Sequence, residues 1–205
     1  MSQRLIYVIG PSGAGKDSVL QALRQTWPGA AHAHWARRTI TRPVQPGGEP
    51  HEAVDTAHFE QLRLHQAFAL HWQANALHYG IRTTELLTPL AQGHCVFVNG
   101  SRGHLPTLLG QWPLATVVHI DAPPEVLAQR LATRGRETPE AIAARLRREV
   151  PLALPADHIA ISNDGPLHAA AAALAKRLKQ RLGALLGDRW GEGSASASKQ
   201  ALPAR

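Results

Sequence analysis

The sequence predicts an α/β protein in which helices flank a mostly parallel sheet. Short apolar runs of strand length alternate along the chain with longer stretches of helical periodicity. A glycine-rich loop joins the first apolar run directly to the first helical stretch. The length of 205 residues fits one compact domain that carries a small insertion.

The strands are predicted from apolar runs. Leu5–Ile9 is continuously apolar, as expected for a strand that is buried on both faces of a parallel sheet. Between Phe68 and Ile81 a weak alternation favours a pair of strands. The other predicted strands are Cys95–Val98, Thr116–Ile120 and His158–Ser162.

The helices are predicted from their periodicity and from residues that start or stop helices. Thr56 is the expected N-cap of the second helix, and Gly93 is expected to stop the third. The predicted helices are Lys16–Thr26, Thr56–Gln66, Thr83–Gln92, Pro123–Ala132, Thr138–Val150 and Leu167–Leu186.

Two segments break the alternation. Thr39–His58 is rich in proline, glycine and charge, and a loop of that length inside a compact domain is usually functional. The segment from Gly187 to Arg205 is rich in Gly, Ser and Ala, and we expect a flexible tail there.

Composition narrows the classes of function. The chain has 22 Lys+Arg against 15 Asp+Glu, a net charge of +7, which suits an anionic partner. No nucleic-acid motif accompanies this charge, so we expect a small polyanion and not nucleic acid. The single cysteine, Cys95, excludes an internal disulfide and favours a reducing, cytoplasmic setting. The apolar runs are too short for a membrane helix, and the N-terminus lacks the features of a secretory signal.

The strongest motif is a phosphate-binding loop. Its residues, Gly10, Pro11, Ser12, Gly13, Ala14, Gly15 and Lys16, follow the first strand and open the first helix. In this context the glycines let backbone N–H groups surround an anion, and the helix N-terminus adds positive potential. Lys16 would supply a full charge to the β- and γ-phosphates of ATP. The sequence therefore predicts a P-loop NTPase.

The residue after the P-loop lysine departs from the common pattern. A Ser or Thr that holds Mg²⁺ is expected there, but this chain has Asp17, followed by Ser18. A carboxylate is also a hard oxygen ligand, so Asp17 could bind Mg²⁺ directly or through water. The alternative is that Asp17 only stabilises the helix N-terminus.

Motifs spread over residues 4 to about 182 resemble the guanylate kinase group of nucleoside monophosphate kinases. Beyond the P-loop, these are Thr41-Arg42-Pro43, Tyr79-Gly80, Arg130-Leu131, Arg134-Gly135, Arg145 and Ser162-Asn163-Asp164. Four further segments look like the ribose 1,5-bisphosphate phosphokinases within that group: Gly13–Ser18, Phe68–Trp72, Val98–Arg102 and Arg134–Glu137.

This resemblance implies a fold and an activity. The fold would be nucleoside monophosphate kinase-like, with a kinase domain over residues 1–186, a substrate-binding region near 34–82 and an arginine-rich lid near 130–149. The enzyme would use ATP and Mg²⁺ to convert ribose 1,5-bisphosphate to 5-phosphoribosyl 1-diphosphate in phosphonate degradation. Its partner would be this small phosphorylated sugar, and we expect binding to neither membrane nor nucleic acid. The resemblance leaves open whether the enzyme is a homodimer.

Positions that would read guanine in a guanylate kinase are changed. Gln45 stands where an arginine is expected, Ile81 where a Thr or Ser is expected, and Asn99 where an Asp is expected. A site without hydrogen-bond partners for the base cannot recognise that base specifically. The positions that would bind ATP are thus retained. The positions that would bind the acceptor suit a phosphorylated compound without a base.

The resemblance also implies roles for single residues. Lid arginines Arg134 and Arg145 would stabilise the transferring phosphoryl group, although helix surface charge is the alternative. Arg130 and Asn163 would contact ATP. The acceptor would be held by Arg38, Arg42, Tyr79, Asn99, Ser101 and Arg102, for which loop solvation, capping or packing are the alternatives.

Three other functions compete with this one. Guanylate or other nucleoside monophosphate kinase activity is disfavoured by the changed guanine positions. A catalytically dead scaffold is disfavoured because it need not retain the P-loop and the lid arginines. Nucleic-acid binding is suggested only by the high pI of about 10.5.

Overall fold

The computed structural model describes residues 2–27, 32–44, 49–133, 138, 143 and 152–187. Most of the predicted helix Thr138–Val150 and all of the predicted tail after Gly187 lie outside these residues. The strands are β1 (Leu5–Ile9), β2 (Ala33–Trp35), β3 (Arg38–Ile40), β4 (Glu52–Ala53), β5 (Phe68–Ala74), β6 (Leu77–Arg82), β7 (Cys95–Asn99), β8 (Thr116–Asp121) and β9 (Ile159–Ser162). The helices are α1 (Lys16–Thr26), α2 (Thr56–Leu64), α3 (Thr83–Ala91), α4 (Leu105–Gln111), α5 (Pro124–Thr133) and α6 (Leu167–Leu186).

Two sheets organise the chain. The central sheet has the order β2-β7-β1-β8-β9, and all of its pairings are parallel. The second sheet has the order β4-β3-β6-β5 and is mixed, because β6 runs antiparallel to both β3 and β5. The predicted α/β class with a mostly parallel sheet is confirmed.

Side-chain alternation along the central strands divides the core in two. On β1, Ile6 and Val8 pack against α1, α5 and α6, whereas Leu5, Tyr7 and Ile9 face the opposite cluster. That opposite cluster contains α3, α4 and the buried side chains of the second sheet. The second sheet is therefore anchored on one face of the central sheet, near the carboxyl end of β7.

The segment between α1 and α2 differs most from its prediction. The three short strands β2, β3 and β4 were not predicted, and β4 lies within the expected loop Thr39–His58. Their polar residues, such as Arg38, do not form the apolar runs from which strands are recognised. Helix α4 was also not predicted.

The expected cap of α2 was wrong by one residue. Asp55 is the N-cap, because its backbone is extended and its carboxylate accepts from the N–H of His58 at 2.7 Å. Thr56 is already the first helical residue. The predicted bounds of β1, α1 and α6 agree with the structure. The other predicted strands and helices that lie within the described residues shift by one or two residues at their ends.

Gly100 should be intolerant of any side chain. A Cβ at this position would overlap the ring of Tyr7, whose hydroxyl accepts from the N–H of Ser101 at 3.0 Å. We expect Gly100→Ala to lower the free energy of unfolding by about 1–3 kcal/mol in urea denaturation, the usual cost of overpacking a core.

Gly110→Ala is the matched control. No atom lies within 4 Å of a Cβ built at this helical glycine. Stability should stay the same or rise by up to about 1 kcal/mol, because alanine favours helix. Equal losses in the two variants would contradict the packing of Gly100 against Tyr7.

Candidate active site

The phosphate loop connects β1 to α1 with a backbone that requires glycine. Gly10, Gly13 and Gly15 have φ angles of 154°, 90° and 79°. A Cβ at Gly10 would overlap the carbonyl oxygen of Ile120, and one at Gly15 would overlap the amide of Asn163. The loop is therefore held between β8 and the segment after β9 in a conformation that surrounds an anion with backbone N–H groups.

Lys16 bends back over the loop. Its Nζ donates to the carbonyl oxygens of Gly10 and Pro11, each at 2.9 Å. These acceptors are neutral, and an ionised phosphate oxygen is a stronger partner for an ammonium group. The lysine thus lies where a bound phosphate can recruit it.

One cavity opens on the α1 and α6 side of the loop. Its volume is about 460 Å³, and Gly13, Gly15, Ser18, Arg130 and Asn163 are among its lining residues. Asn163 is buried, and its side-chain amide donates to the carbonyl of Ala14 at 2.8 Å. The Nη1 atom of Arg130 is buried and has no hydrogen-bond partner among the described residues. An orphaned guanidinium N–H beside a phosphate loop fits an anionic ligand such as a nucleotide phosphate.

A second cavity, of about 430 Å³, opens on the other side of the same loop. The second sheet contributes Arg38, Trp72 and Tyr79 to its lining. Six more of its lining residues come from the phosphate loop and the segment after β7: Gly10, Pro11, Ser12, Lys16, Ser101 and Arg102. Lys16 lines this second cavity, whereas Gly15 and Ser18, close to it along the chain, line the first.

A buried charge cluster closes the rear of the second cavity. The guanidinium of Arg38 forms a bidentate ion pair with Glu49 and lies 3.3 Å from Oδ1 of Asp17. It also donates to the backbone carbonyl of Asn99 at 3.4 Å. Burial alone would lower the pKa of Arg38, but the neighbouring Glu49 and Asp17 carboxylates raise it above its usual value.

Asp17 is oriented by this cluster. Its Oδ1 atom accepts from both Arg38 and the side-chain amide of Asn99, yet almost half of the side chain is exposed, at 47%. A carboxylate that is fixed on one side and open on the other fits a hard cation. Within the described part of the chain, no group of three or more His, Cys, Asp or Glu side chains gathers into a metal site.

The other predicted acceptor residues have different surroundings. Tyr79 and Ser101 line the second cavity, and Asn99 lies behind it, buried to 6% exposure. Arg42 follows β3 and lines neither cavity, but its Nε atom is buried and lacks a partner among the described residues. The predicted lid residues Arg134 and Arg145 lie outside the described residues.

Sequence reasoning missed three residues of this site. Glu49 pairs with Arg38, Trp72 lines the second cavity, and Asp121 ends β8 beside Lys16 in the same lining. A buried arginine requires an acid, so a glutamate in the proline- and glycine-rich segment was the available signal for Glu49. The only sequence signal for Trp72 was its place in the Phe68–Trp72 segment.

Cys95 was expected to be a core residue and not a nucleophile. It is fully buried in β7 and forms no disulfide. Burial raises the pKa of its thiol to about 11, so the reactive thiolate is suppressed.

Comparison with solved structures defines the class of protein. The guanylate kinase of Anaplasma phagocytophilum matches with a TM-score of 0.61 over 91% of this chain and 88% of that chain, at 14% sequence identity. This likeness shows the fold alone. Together with the phosphate loop it defines the class as a P-loop protein of the guanylate kinase-like fold.

Curated relatives narrow the family, although no protein-family model matches the chain. Ribose 1,5-bisphosphate phosphokinase PhnN of Pseudomonas paraeruginosa is 48% identical over 154 residues, which are 75% of this chain and 82% of that protein. The protein of the same name from Thiobacillus denitrificans is 40% identical over 200 residues, 97% of each chain. The chain also matches, at 45% identity over 145 residues, 21% of the length of a bifunctional ribose 1,5-bisphosphokinase-thymidine phosphorylase from Azorhizobium caulinodans. The chain belongs to the ribose 1,5-bisphosphate phosphokinase family.

The ion pair between Glu49 and Arg38 should contribute to stability. Glu49→Gln removes the charge that balances the buried guanidinium but preserves the shape of the side chain. We expect the free energy of unfolding to fall by about 1.5–3 kcal/mol, the range for a hydrogen bond to a charged group.

Glu60→Gln provides the control for this prediction. Glu60 pairs with Arg63 three residues along α2, and both side chains are exposed. Its loss should change stability by well under 1 kcal/mol in the same urea titration, because solvent screens exposed pairs. A Glu49 variant as stable as the Glu60 variant would contradict the energetic importance of the buried cluster.

Proposed function

We propose that this chain transfers the γ-phosphoryl group of ATP to ribose 1,5-bisphosphate and releases 5-phosphoribosyl 1-diphosphate. This reaction would be a step of phosphonate breakdown. The observation that carries the proposal is the pair of cavities on one phosphate loop: Gly13, Gly15 and Ser18 line the first cavity, and Lys16 lines the second. The names of the relatives support this acceptor, because they are ribose 1,5-bisphosphate phosphokinases.

The first cavity is the proposed ATP site. Gly10–Lys16 would bind the β- and γ-phosphates through backbone N–H groups, with Ser18 at the start of α1. The orphaned Nη1 of Arg130 would donate to a phosphate oxygen, and Asn163 would border the adenine and fix the loop through Ala14. Arg134 and Arg145 remain proposed lid residues.

The second cavity is the proposed acceptor site. An oxygen of the 1-phosphate would attack the γ-phosphorus in line, while the bond to the β–γ bridging oxygen breaks and ADP leaves. The 1-phosphate is already ionised, so the transfer needs no strong general base. Catalysis then depends on positioning the two substrates and on neutralising their phosphate charge. Lys16 would contribute to this neutralisation from the lining of the second cavity.

Several side chains would hold the acceptor. Arg102 adds a cation to the cavity lining, and Arg42, which lies outside that lining, would reach a phosphate through its buried Nε atom. Tyr79 and Ser101 could donate to phosphate or ribose oxygens. Arg38 is already paired with Glu49, so it would contribute positive potential and fix the rear wall.

The acceptor site is poorly suited to guanine. Ile81 is fully buried, carries no hydrogen-bonding side-chain group and pairs across the sheet with Arg38. Asn99 is turned toward Asp17, to which its amide donates. Unpaired polar edges of a base would be costly in such a site.

Mg²⁺ fits the exposed side of Asp17, and we propose this carboxylate as its protein ligand, direct or through water. When bound, the ion would neutralise negative charge on the ATP phosphates. The two hydrogen bonds that Asp17 accepts from Arg38 and Asn99 would keep its free oxygen directed outward.

Within the described part of the chain, no helix has an apolar stretch long enough to span a bilayer. We propose that the enzyme works in a reducing cytoplasm that supplies ATP, and the buried free thiol of Cys95 is consistent with this.

Acceptor competition tests the function. With Mg-ATP, the purified protein should show a kcat/KM for ribose 1,5-bisphosphate at least about 100-fold above that for GMP, because Ile81 has no hydrogen-bonding side-chain group and the amide of Asn99 already donates to Asp17. Lys16→Ala is the negative control and should lose about 100-fold or more in kcat, with an unchanged far-UV spectrum. A higher kcat/KM for GMP would replace the proposed function with guanylate kinase activity.

Asp17→Asn tests the magnesium ligand. The amide retains the hydrogen-bonding shape but loses the charge that attracts the cation, so half-maximal rate should require about tenfold more Mg²⁺. Binding of Mn²⁺ to the ATP complex, followed by electron paramagnetic resonance, should weaken in parallel. If both titrations match the wild type, Asp17 serves only the N-terminus of α1.

A further inference from the structure

Trp72 forms part of the wall of the second cavity, and the proposed function gives this residue no role. The residue lies on β5 and lines the cavity, yet only 8% of its surface is exposed. Its ring is part of the apolar cluster between the two sheets. A side chain buried to this extent cannot swing aside without opening that cluster.

Two aromatic rings pack against the indole. The Tyr79 ring lies parallel to it at 5.6 Å between centroids, with an interplanar angle of 1°. The His104 ring packs on it at 5.5 Å and 25°. The Arg38 guanidinium in turn lies 5.7 Å from the centre of the Tyr79 ring. The row Arg38–Tyr79–Trp72–His104 is therefore a preformed wall that links the charge cluster to the segment after β7.

We propose that Trp72 determines acceptor specificity by limiting how large a group can extend from the accepting phosphate. This proposal rests on the proposed function and deepens it. Indole has the same fused five- and six-membered ring framework as a purine, so Trp72 occupies a volume that a base would need. A compact sugar phosphate fits in front of the wall, whereas a nucleoside does not.

The dimensions of the cavity favour exclusion by size. At about 430 Å³ it lies near the lower end of the ~300–1,000 Å³ range of ligand pockets, and Lys16 and the phosphate loop share this space. Behind the wall, Ile81 is fully buried and apolar, so truncation of Trp72 would open an apolar space. Apolar cavities made in this way bind flat aromatic ligands.

The exposed polar residues of the lining add little to the selectivity beyond the changes at Ile81 and Asn99. The polar side chains nearest to Trp72 along the chain that also line the cavity, Gln73 and Asn75, are both exposed. Exposed groups can exchange a ligand for water at little cost, so they would discriminate weakly. A rigid buried ring discriminates by steric overlap, which water cannot relieve.

The experiment compares two acceptor-site ligands in Trp72→Ala and in the wild type. The Ki of GMP as a competitive inhibitor is divided by the KM of ribose 1,5-bisphosphate, which cancels any general loss of activity. We expect this ratio to fall by about tenfold or more in the variant, the lower range for removing a steric contact in an apolar pocket.

Two further variants keep the outcome decisive. Trp35→Ala removes a tryptophan that stacks on Phe97 in the other apolar cluster, does not line the cavity, and should leave the ratio unchanged. Trp72→Phe keeps an aromatic ring and should lower the ratio less, and it decides the question if Trp72→Ala does not fold.

An unchanged ratio in a folded Trp72 variant overturns the steric role of Trp72, and so does an equal fall in the Trp35 control. If the wild-type protein does not phosphorylate ribose 1,5-bisphosphate at all, the proposed function itself has failed. The two failures are therefore distinguishable.

Discussion

The buried guanidinium of Arg38 is the contact on which the arrangement of the site depends. It connects β3 with three other parts of the chain: Glu49 before β4, Asp17 at the start of α1, and the carbonyl of Asn99 at the end of β7. A buried charge without partners would be strongly destabilising, so these segments must meet where the charge is satisfied. The second sheet is thereby fixed against the phosphate loop, and the acceptor cavity forms between them.

This constraint gives the two halves of the site different physical characters. The ATP side depends on backbone geometry, because glycines with positive φ and a helix N-terminus bind phosphate irrespective of what the phosphate is attached to. The acceptor side depends on side chains, with a charge cluster behind and the aromatic row of Tyr79, Trp72 and His104 as a wall. In the mechanism we propose, affinity for phosphate comes from the first half, and the choice of acceptor comes from the second.

The sequence predicts the phosphate-loop half well and the acceptor half poorly, for a physical reason. Gly10–Lys16, β1 and α1 are contiguous, so their spacing alone indicates both structure and chemistry. The ion pair of Arg38 with Glu49 depends on where a polar segment folds, and local periodicity carries no such information. Arg38 was expected to contact substrate directly, and its pairing with Glu49 and Asp17 became visible only in three dimensions. Trp72 both packs in the apolar cluster between the sheets and lines the cavity, and local periodicity does not indicate this double role.

The central claim is that the accepting group is the 1-phosphate of ribose 1,5-bisphosphate, placed next to Lys16 and in line with ATP. The most direct measurement is ³¹P NMR of the product formed with Mg²⁺ and ATP that carries an isotopic label in its γ-phosphoryl group. The account predicts that the label appears in the terminal phosphate of a diphosphate at C1, while the 5-phosphate stays unlabelled. Label on the 5-phosphate, or in inorganic phosphate alone, would contradict it.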